Sequence, residues 1–168
     1  MNIEIKEVTS TEAYIKELAM ILQDTVNAGA SIGFLSPMQL EEAEQYWKQL
    51  QIDEHKILLL AFIDHELAGT VHLDLVNKPN GWHRAEICKL IVNPKLRRAG
   101  VGRALMKEIE KTAIKKNRSL LVLDTREGDP SNRLYRSIGY IQAGAIPNFA
   151  SNSDGALETT NLYYKIIG

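Results

Sequence analysis

The chain has 168 residues, of which 45% are apolar and 24% are charged, and its formal net charge is −1. This length suits a single domain over residues 1–168, and the near-neutral charge lacks the basic excess with which proteins bind nucleic acids. The longest apolar run, residues 57–63, is far shorter than the roughly 20 residues of a membrane-spanning helix, so we expect no membrane segment.

Cysteine and histidine usage narrows the class of protein further. Cys88 is the one cysteine, so an internal disulfide is excluded and a reducing compartment is favoured. The first seven residues lack the basic and then apolar plan of a signal peptide, and we therefore expect a cytoplasmic protein. The four histidines do not have the spacing of zinc ligands, so we expect no metal.

The first half of the chain predicts one strand, two helices and three further strands. Apolar residues recur every three or four positions in the helical stretches and alternate or run together in the others. In chain order the elements are a strand over 3–8, helices over 13–26 and 38–50, and strands over 57–63, 67–76 and 82–92. The pair Asn80-Gly81 predicts a tight hairpin turn, because both residues tolerate a positive φ. Strict alternation in the strand that follows would place on one face Glu86, Cys88, Leu90 and Val92.

The second half predicts helices over 101–116 and 131–137, with strands over 120–123, from 139–140 onward and over 162–167. The order is therefore β-α-α-β-β-β-α-β-α-β-β, which indicates an α+β (α/β) fold. The strand near Leu90 and the strand near Val122 are joined through a helix. We expect them to form a parallel pair, because such a crossover returns the chain in the same direction.

The segment between the strand at 82–92 and the helix at 101–116 has the composition of an anion site. Its backbone N–H groups lie at a helix N-terminus, where unpaired donors and the helix dipole favour negative charge. Gly100 and Gly102 let a phosphate approach the backbone closely, and charged donors come from Arg97, Arg98 and Arg103. A basic surface turn that caps an ordinary helix is the alternative, and the strand–turn–helix context favours the anion site.

These residues resemble the GNAT acyl-CoA N-acyltransferases. Arg97-x-x-Gly100-x-Gly102 matches the family pattern [Q/R]-x-x-G-x-[G/A], and Leu134-Tyr135 and Gly139-Tyr140 stand where the family has similar pairs. The resemblance implies a mixed, mostly antiparallel sheet with a splayed parallel pair and helices on both faces. It also implies acetyl-CoA as the acyl donor. The pyrophosphate would bind the turn formed by Arg97, Arg98, Ala99, Gly100, Val101, Gly102 and Arg103, and the pantetheine arm would pair with the backbone of Leu90, Ile91 and Val92.

Two residues are the candidates for proton transfer. Tyr135 would be the general acid, because a phenol with a pKa near ~10 stays protonated and can donate to a departing thiolate. Its structural alternative is a ring packed in the core with its hydroxyl bonded to the backbone. Glu86 would be the base for the acceptor amine, directly or through water, and its alternative is a salt bridge with Arg84 or Lys89.

The chain departs from the family pattern at Gly128, and Cys88 raises the alternative of a covalent mechanism. Gly128 stands seven residues before Tyr135, where many members have an asparagine, so that contact to the cofactor is in doubt. Asp129 and Asn132 are the nearby polar residues. Cys88 could serve as an acyl-accepting nucleophile, but a lone strand cysteine is usually a small core residue.

The acceptor is the least defined part of the prediction. The resemblance places on the acceptor side Ser31, Phe34, Arg84 and Asp124, and several segments are closest to a member that acetylates a small toxin. We expect N-acetylation of a small amino-acid-like amine, as in antibiotic or toxin resistance. The alternatives are a protein or peptide acceptor and a non-catalytic acyl-CoA sensor. A homodimer is the expected assembly, because symmetric dimers are the commonest soluble oligomers.

Overall fold

The computed structural model describes residues 1–168 and contains seven strands and four α-helices. The strands are β1 (Ile3–Val8), β2 (Lys56–Ile63), β3 (Glu66–Leu75), β4 (Arg84–Val92), β5 (Leu120–Arg126), β6 (Ile141–Ser151) and β7 (Leu157–Ile166). The helices are α1 (Ile15–Asn27), α2 (Leu40–Gln49), α3 (Val101–Lys115) and α4 (Ser131–Ser137). The element order is the one predicted from the sequence, although β5 ends later and β7 begins earlier than expected.

All seven strands form one sheet in the order β1-β2-β3-β4-β5-β7-β6. Every neighbouring pair is antiparallel except β4 and β5, which are parallel as the strand–helix–strand link predicted. The β4–β5 pairing covers only Arg84 to Glu86 on β4 and Leu120 to Val122 on β5. Beyond Glu86 the two strands continue without pairing to each other, so a gap opens in the middle of the sheet.

The two faces of the sheet have separate apolar cores. On one face α3 contributes Leu105 and Ile109, and α4 contributes Tyr135 to the same cluster. On the other face α1 and α2 pack against β2 and β3, with Leu18 and Trp47 fully buried. The helices therefore lie on both faces, as the resemblance implied. No helix of the chain has both the length and the apolarity needed to cross a bilayer.

A β-bulge in β4 overturns the predicted alternation of side chains along that strand. Thr70 pairs with Ile91 and His72 pairs with Cys88, so one β3 residue lies opposite two β4 residues. Lys89 absorbs the extra residue with a φ of +53°. Leu90 and Val92 pack on the α3 face, whereas Ile91 belongs to the α1–α2 core. Leu90 and Val92 therefore do not share a face with Glu86 and Cys88.

The predicted hairpin between β3 and β4 is present, but the tight turn predicted at Asn80-Gly81 is wrong. Residues 79–81 form a single turn of 3-10 helix, and neither Asn80 nor Gly81 has a positive φ. The glycine is required for another reason. A Cβ atom on Gly81 would lie 2.8 Å from a methyl carbon of Val76, so the β3–β4 connection closes only over a residue without a side chain.

Candidate functional site

The gap between β4 and β5 is the centre of the candidate site. After Glu86, β4 keeps only β3 as a neighbour, so the β5-facing backbone of Leu90, Ile91 and Val92 has no strand beside it. An extended ligand can pair with such a free strand edge through main-chain hydrogen bonds. The backbone predicted to contact pantetheine is therefore accessible on the gap side.

At the end of β4, seven consecutive backbone N–H groups, at residues 97–103, donate no hydrogen bond within the chain. The preceding turn, by contrast, is closed: the Asn93 side chain accepts from the Lys95 N–H. Arg98 and Gly100 have φ values of +63° and +82°, which turn successive amides toward the start of α3. Unpaired amides at the N-terminus of a 15-residue helix have the arrangement that suits an anion. We call residues 97–103 the amide cradle.

Two glycines without a positive φ allow α3 to pack closely against its neighbours. A Cβ on Gly69 of β3 would lie 2.7 Å from the Ile91 carbonyl oxygen and 3.0 Å from a Val101 methyl carbon. A Cβ on Gly102 would lie 3.3 Å from a Leu134 methyl carbon, on α4. Sequence reasoning missed Gly69. The signal was present, since a glycine inside a strand often marks a close approach of another backbone.

The three arginines near the cradle differ in their contacts. Arg97 and Arg98 have exposed side chains without an ion pair, and they remain available to a bound anion. The Arg103 guanidinium donates to the Ser137 hydroxyl at 2.9 Å and thereby ties α3 to the end of α4. Arg103 is thus placed at the cradle through its backbone, while its side chain braces the helix that carries Tyr135.

Glu86 is the last β4 residue that pairs with β5, and it lies at the origin of the gap. It forms neither of the ion pairs that were its structural alternative, since the Lys89 ammonium donates to the Ile32 carbonyl at 2.6 Å and Arg84 contacts no carboxylate. Partial burial, followed by the nearby charges of Asp124 and Asp74, raises the pKa of Glu86. A carboxyl group with a raised pKa and no ion pair is a suitable proton acceptor.

The other two carboxylates near Glu86 already have partners. Asp74, opposite Glu86 on β3, is ion-paired with Lys56 at 2.6 Å. Asp124 accepts a hydrogen bond from the Thr160 hydroxyl at 2.9 Å. Asp124 lies inside β5 rather than at a helix start, so it does not cap a helix. No three His, Cys, Asp or Glu side chains converge as a metal site would require.

Tyr135 lies on α4 and belongs to the apolar core on the α3 face of the sheet. Its ring is buried between those of Tyr140 and Tyr163, with both centroids 6.0 Å away. Burial, with Asp124 as the next contributor, raises the pKa of Tyr135 above its ordinary value. The ring therefore packs in the core as its structural alternative required, but the hydroxyl is bonded to no backbone group.

The loop between α1 and α2, residues 28–37, crosses the gap on the α1–α2 face, and we call it the strap. Two hydrogen bonds hold the strap. The Lys89 ammonium donates to the Ile32 carbonyl, and the Ser36 N–H donates to the hydroxyl of Ser153, in the β6–β7 turn, at 2.9 Å. Ser31 and Phe34 of the strap are half-buried. The Phe34 ring lies 5.1 Å from Tyr46 of α2 and beneath the Lys89 ammonium.

The sequence comparisons identify the family. A model of the acetyltransferase (GNAT) family matches residues 27–140, which is more than half of the chain. The chain belongs to the GNAT family. An uncharacterized N-acetyltransferase from the hisH-hisA intergenic region of Azospirillum brasilense is 30% identical over 115 residues, covering 67% of this chain and 68% of that protein.

Solved structures show that the GNAT fold extends over nearly the whole chain. The ribosomal-protein-alanine N-acetyltransferase from Brucella melitensis has a TM-score of 0.82 and 22% identity, and the match covers 98% of this chain and 99% of that one. The acetyltransferase-family protein yncA from Salmonella typhimurium, solved with its cofactor acetyl-CoA, has a TM-score of 0.80 and 15% identity over 100% of this chain and 95% of that one. At these identities the likeness concerns the fold.

The departure from the GNAT pattern at Gly128 has no replacement among its neighbours. Gly128 has a φ of +88° and lies in the turn before α4. Asn132 is buried, and its amide donates to the carbonyls of Arg126 and Asp129. Its side-chain oxygen accepts from Asn161 and from the Tyr163 hydroxyl. Asn132 is therefore saturated by the protein and is not free to contact a ligand.

Burial or packing affects three further side chains on the acceptor side, those of Cys88, His72 and Arg84. Burial, followed by Asp74 and Glu86, raises the pKa of Cys88 to about 12, and its thiol lies 3.5 Å from an Asp74 oxygen. Burial lowers the pKa of His72 to about 4, so this histidine is neutral at pH 7. The Arg84 guanidinium packs against Gly81 in the β3–β4 connection.

Proposed function

We propose that this GNAT protein is an acetyl-CoA-dependent N-acetyltransferase that acetylates the amine of a small, amino-acid-like acceptor by direct attack in a ternary complex. One observation carries the proposal. The amide cradle and the free edge of β4 lie beside a gap that is flanked by an unpaired carboxylate at Glu86 and an unpaired phenol at Tyr135. These features support a donor site and two proton-transfer groups at one opening in the sheet.

The residues that would hold acetyl-CoA fit its chemistry. Seven unpaired amides can bind the pyrophosphate oxygens, and Arg97 and Arg98 can add charge-assisted hydrogen bonds. The Gly100 position leaves open space where a side chain would stand. The edge of Leu90, Ile91 and Val92 can pair with the amides of the pantetheine arm. When bound, acetyl-CoA supplies a thioester whose carbonyl carbon accepts the amine.

Glu86 and Tyr135 would move the protons of the reaction. An amine is mostly protonated at pH 7, so Glu86 removes a proton, directly or through water, to free the attacking lone pair. The C–N bond then forms, the nitrogen releases its second proton to water, and the C–S bond breaks. Tyr135 donates its proton to the departing sulfur, and its raised pKa keeps that proton in place beforehand. Holding both substrates together removes much of the entropy cost of the bimolecular attack.

Charge on the acceptor side supports an amine with its own carboxylate. Glu86 and Asp124 form no ion pair and would attract an ammonium group. Arg84 has no carboxylate partner and could bind an acceptor carboxylate. Residues 29–34 and 78–86 also resemble the tabtoxin resistance acetyltransferase, which acts on a small toxin with an amino-acid backbone. An enzyme with such an acceptor would act in antibiotic or toxin resistance, and its compartment would be the cytoplasm.

A peptide acceptor is the second candidate, and the Brucella melitensis neighbour is named for an activity of that kind. β7 and β6, which lie beyond β5 in the sheet, have exposed apolar residues along which a peptide could lie, including Ile141, Ile146 and Ile166. A sensor that only binds acyl-CoA is disfavoured, because it would need the cradle but neither Glu86 nor Tyr135.

The proposal is tested by measuring free thiol release from acetyl-CoA with a panel of amines. Amino acids, β-lactam amino acids, aminoglycosides, polyamines and peptides are compared by kcat/KM, and Arg84→Ala is assayed beside the parent protein. We expect an amino-acid-like amine to be preferred and Arg84→Ala to raise its KM. Preference for a peptide would select the second candidate. Tight acetyl-CoA binding without turnover on any amine would select the sensor.

A further inference from the structure

Arg126, the last residue of β5, has an unusual set of contacts that no sequence motif indicated. Each nitrogen of its guanidinium has a different partner. Nε donates to Asp129 Oδ1 at 2.9 Å, Nη2 donates to the Gly29 carbonyl at 2.9 Å, and Nη1 lies 3.5 Å from Glu158 Oε1. The side chain is only 21% exposed, so solvent screens these contacts less than it would on an open surface.

The three partners belong to three separate parts of the acceptor side. Gly29 is in the strap, Asp129 is in the turn that begins α4, and Glu158 is on β7. The Arg126 carbonyl also accepts from Asn132 of α4. One residue therefore connects the segment that covers the gap to the helix that presents Tyr135.

We propose that Arg126 is a positioning residue that sets the strap over the acceptor and holds α4 so that Tyr135 faces the gap. This inference rests on the proposed function, since it assumes that the acceptor binds beneath the strap. The strap has two other anchors, at Lys89 and at Ser153, but neither of them reaches α4. Loss of Arg126 should therefore affect both acceptor binding and turnover, whereas the amide cradle belongs to a different segment and keeps its affinity for acetyl-CoA.

This role requires the branched guanidinium group of an arginine. A guanidinium presents donors in several fixed directions, and Arg126 uses three of them. A lysine at this position could place its single ammonium near one partner and would leave the others unpaired. We therefore expect Arg126→Lys to behave more like Arg126→Gln than like the parent protein.

The test compares Arg126→Gln, Arg126→Lys and Asp129→Asn with Arg133→Gln, which removes an exposed arginine of α4 without hydrogen-bond or ion-pair partners. In Arg126→Gln we expect the acceptor KM to rise about tenfold or more and kcat to fall, because charged hydrogen bonds are lost. Asp129→Asn leaves the bond to Gly29 and should lower kcat with little change in KM. The acetyl-CoA dissociation constant should stay within about twofold in every variant, and Arg133→Gln should match the parent.

Hydrogen exchange gives a readout that does not need turnover. Amides of residues 28–37 should exchange faster in Arg126→Gln and Arg126→Lys than in the parent, while those of α3 should not. Unchanged acceptor KM and unchanged strap exchange in Arg126→Gln would overturn the inference, and so would a loss of acetyl-CoA binding parallel to the loss of activity. If Arg126→Gln fails to fold, Arg126→Lys and Asp129→Asn decide by the same measurements. If the parent protein acetylates no amine but the strap loosens in Arg126→Gln, the proposed function is refuted while the role of Arg126 in holding the strap is supported.

Discussion

The donor side and the acceptor side of the gap are built in different ways. The proposed donor side is a continuous stretch of backbone, residues 97–103, whose amide N–H groups have no hydrogen-bond partner within the chain. The acceptor side is assembled from side chains of the strap, β3, β4, β5 and α4. A site made by consecutive residues leaves a short motif in the sequence, whereas a site made by distant residues does not.

The two sides also differ in their tolerance of substitution. Backbone amides survive most side-chain changes, so the cradle is vulnerable mainly where its conformation needs glycine, at Gly100, or where a neighbour needs space, at Gly69 and Gly102. The acceptor side depends on particular functional groups with particular partners. Mutations should therefore separate the two sides, with binding of acetyl-CoA as one readout and turnover as the other.

The largest effect is expected at Tyr135. Replacing it by Phe keeps the ring among Tyr140 and Tyr163 but removes the proposed general acid. We expect kcat to fall by ~10²–10⁴-fold with acetyl-CoA affinity nearly unchanged. Steady-state kinetics and calorimetric titration measure the two quantities. Tyr14→Phe, far from the gap, is the control, and turnover of Tyr135→Phe at the parental rate would mean that Tyr135 is only structural.

The next effect is expected at Gly100 of the amide cradle. A valine there would be strained at a φ of +82° by roughly 1–3 kcal/mol, so the cradle should shift and acetyl-CoA affinity should fall by about one to two orders of magnitude. Gly155→Val is the matched control, because Gly155 has a φ of +84° with open space around it but lies in the β6–β7 turn. Equal acetyl-CoA binding by both variants would argue against the cradle.

The element order and the parallel pair could be predicted because they depend on local patterns. Apolar periodicity and the crossover between the strands at Leu90 and Val122 are properties of short segments. The bulge at Lys89 could not be predicted, because it depends on the register between β3 and β4, and it reversed the faces of Leu90 and Val92. Gly81 was placed in a turn correctly, but its conformation is set by the distant contact with Val76.

The same distinction explains what was found and missed in the site. The cradle was predicted with its residues, and the structure leaves its amides unpaired as that prediction requires. Glu86 and Tyr135 were named, but their lack of partners became visible only in three dimensions. Lys89 and Arg126 were not singled out as anchors, because each acts on a backbone carbonyl far away in the chain, and any residue type can supply a carbonyl.

A smaller effect is expected on the pH profile when Asp124 is replaced by Asn. The Asp124 charge helps to raise the pKa of Glu86, so its removal should lower that pKa and let Glu86 act as a base at lower pH. The acid limb of kcat/KM should move to lower pH by a fraction of a pH unit. Asparagine can still accept the hydrogen bond from Thr160. Asp154→Asn, in the β6–β7 turn, should not move the limb, and a shift of the Asp124→Asn limb to higher pH would contradict the role of Glu86.

The smallest effect is expected at Cys88. Its thiol is a potential nucleophile on the acceptor side, and we infer that the reaction does not use it. With its pKa raised to about 12, the thiol is ionised in about one molecule in 10⁵ at pH 7, and the thiolate is the reactive form. Cys88→Ala should keep kcat within about twofold of the parent, and the parent should react slowly with iodoacetamide. A covalent route through Cys88 predicts the opposite results: loss of turnover in Cys88→Ala, and a rapid release of one equivalent of thiol from acetyl-CoA before any acceptor is added. Because the direct route needs both substrates bound together, thiol release should instead begin only when the amine is present.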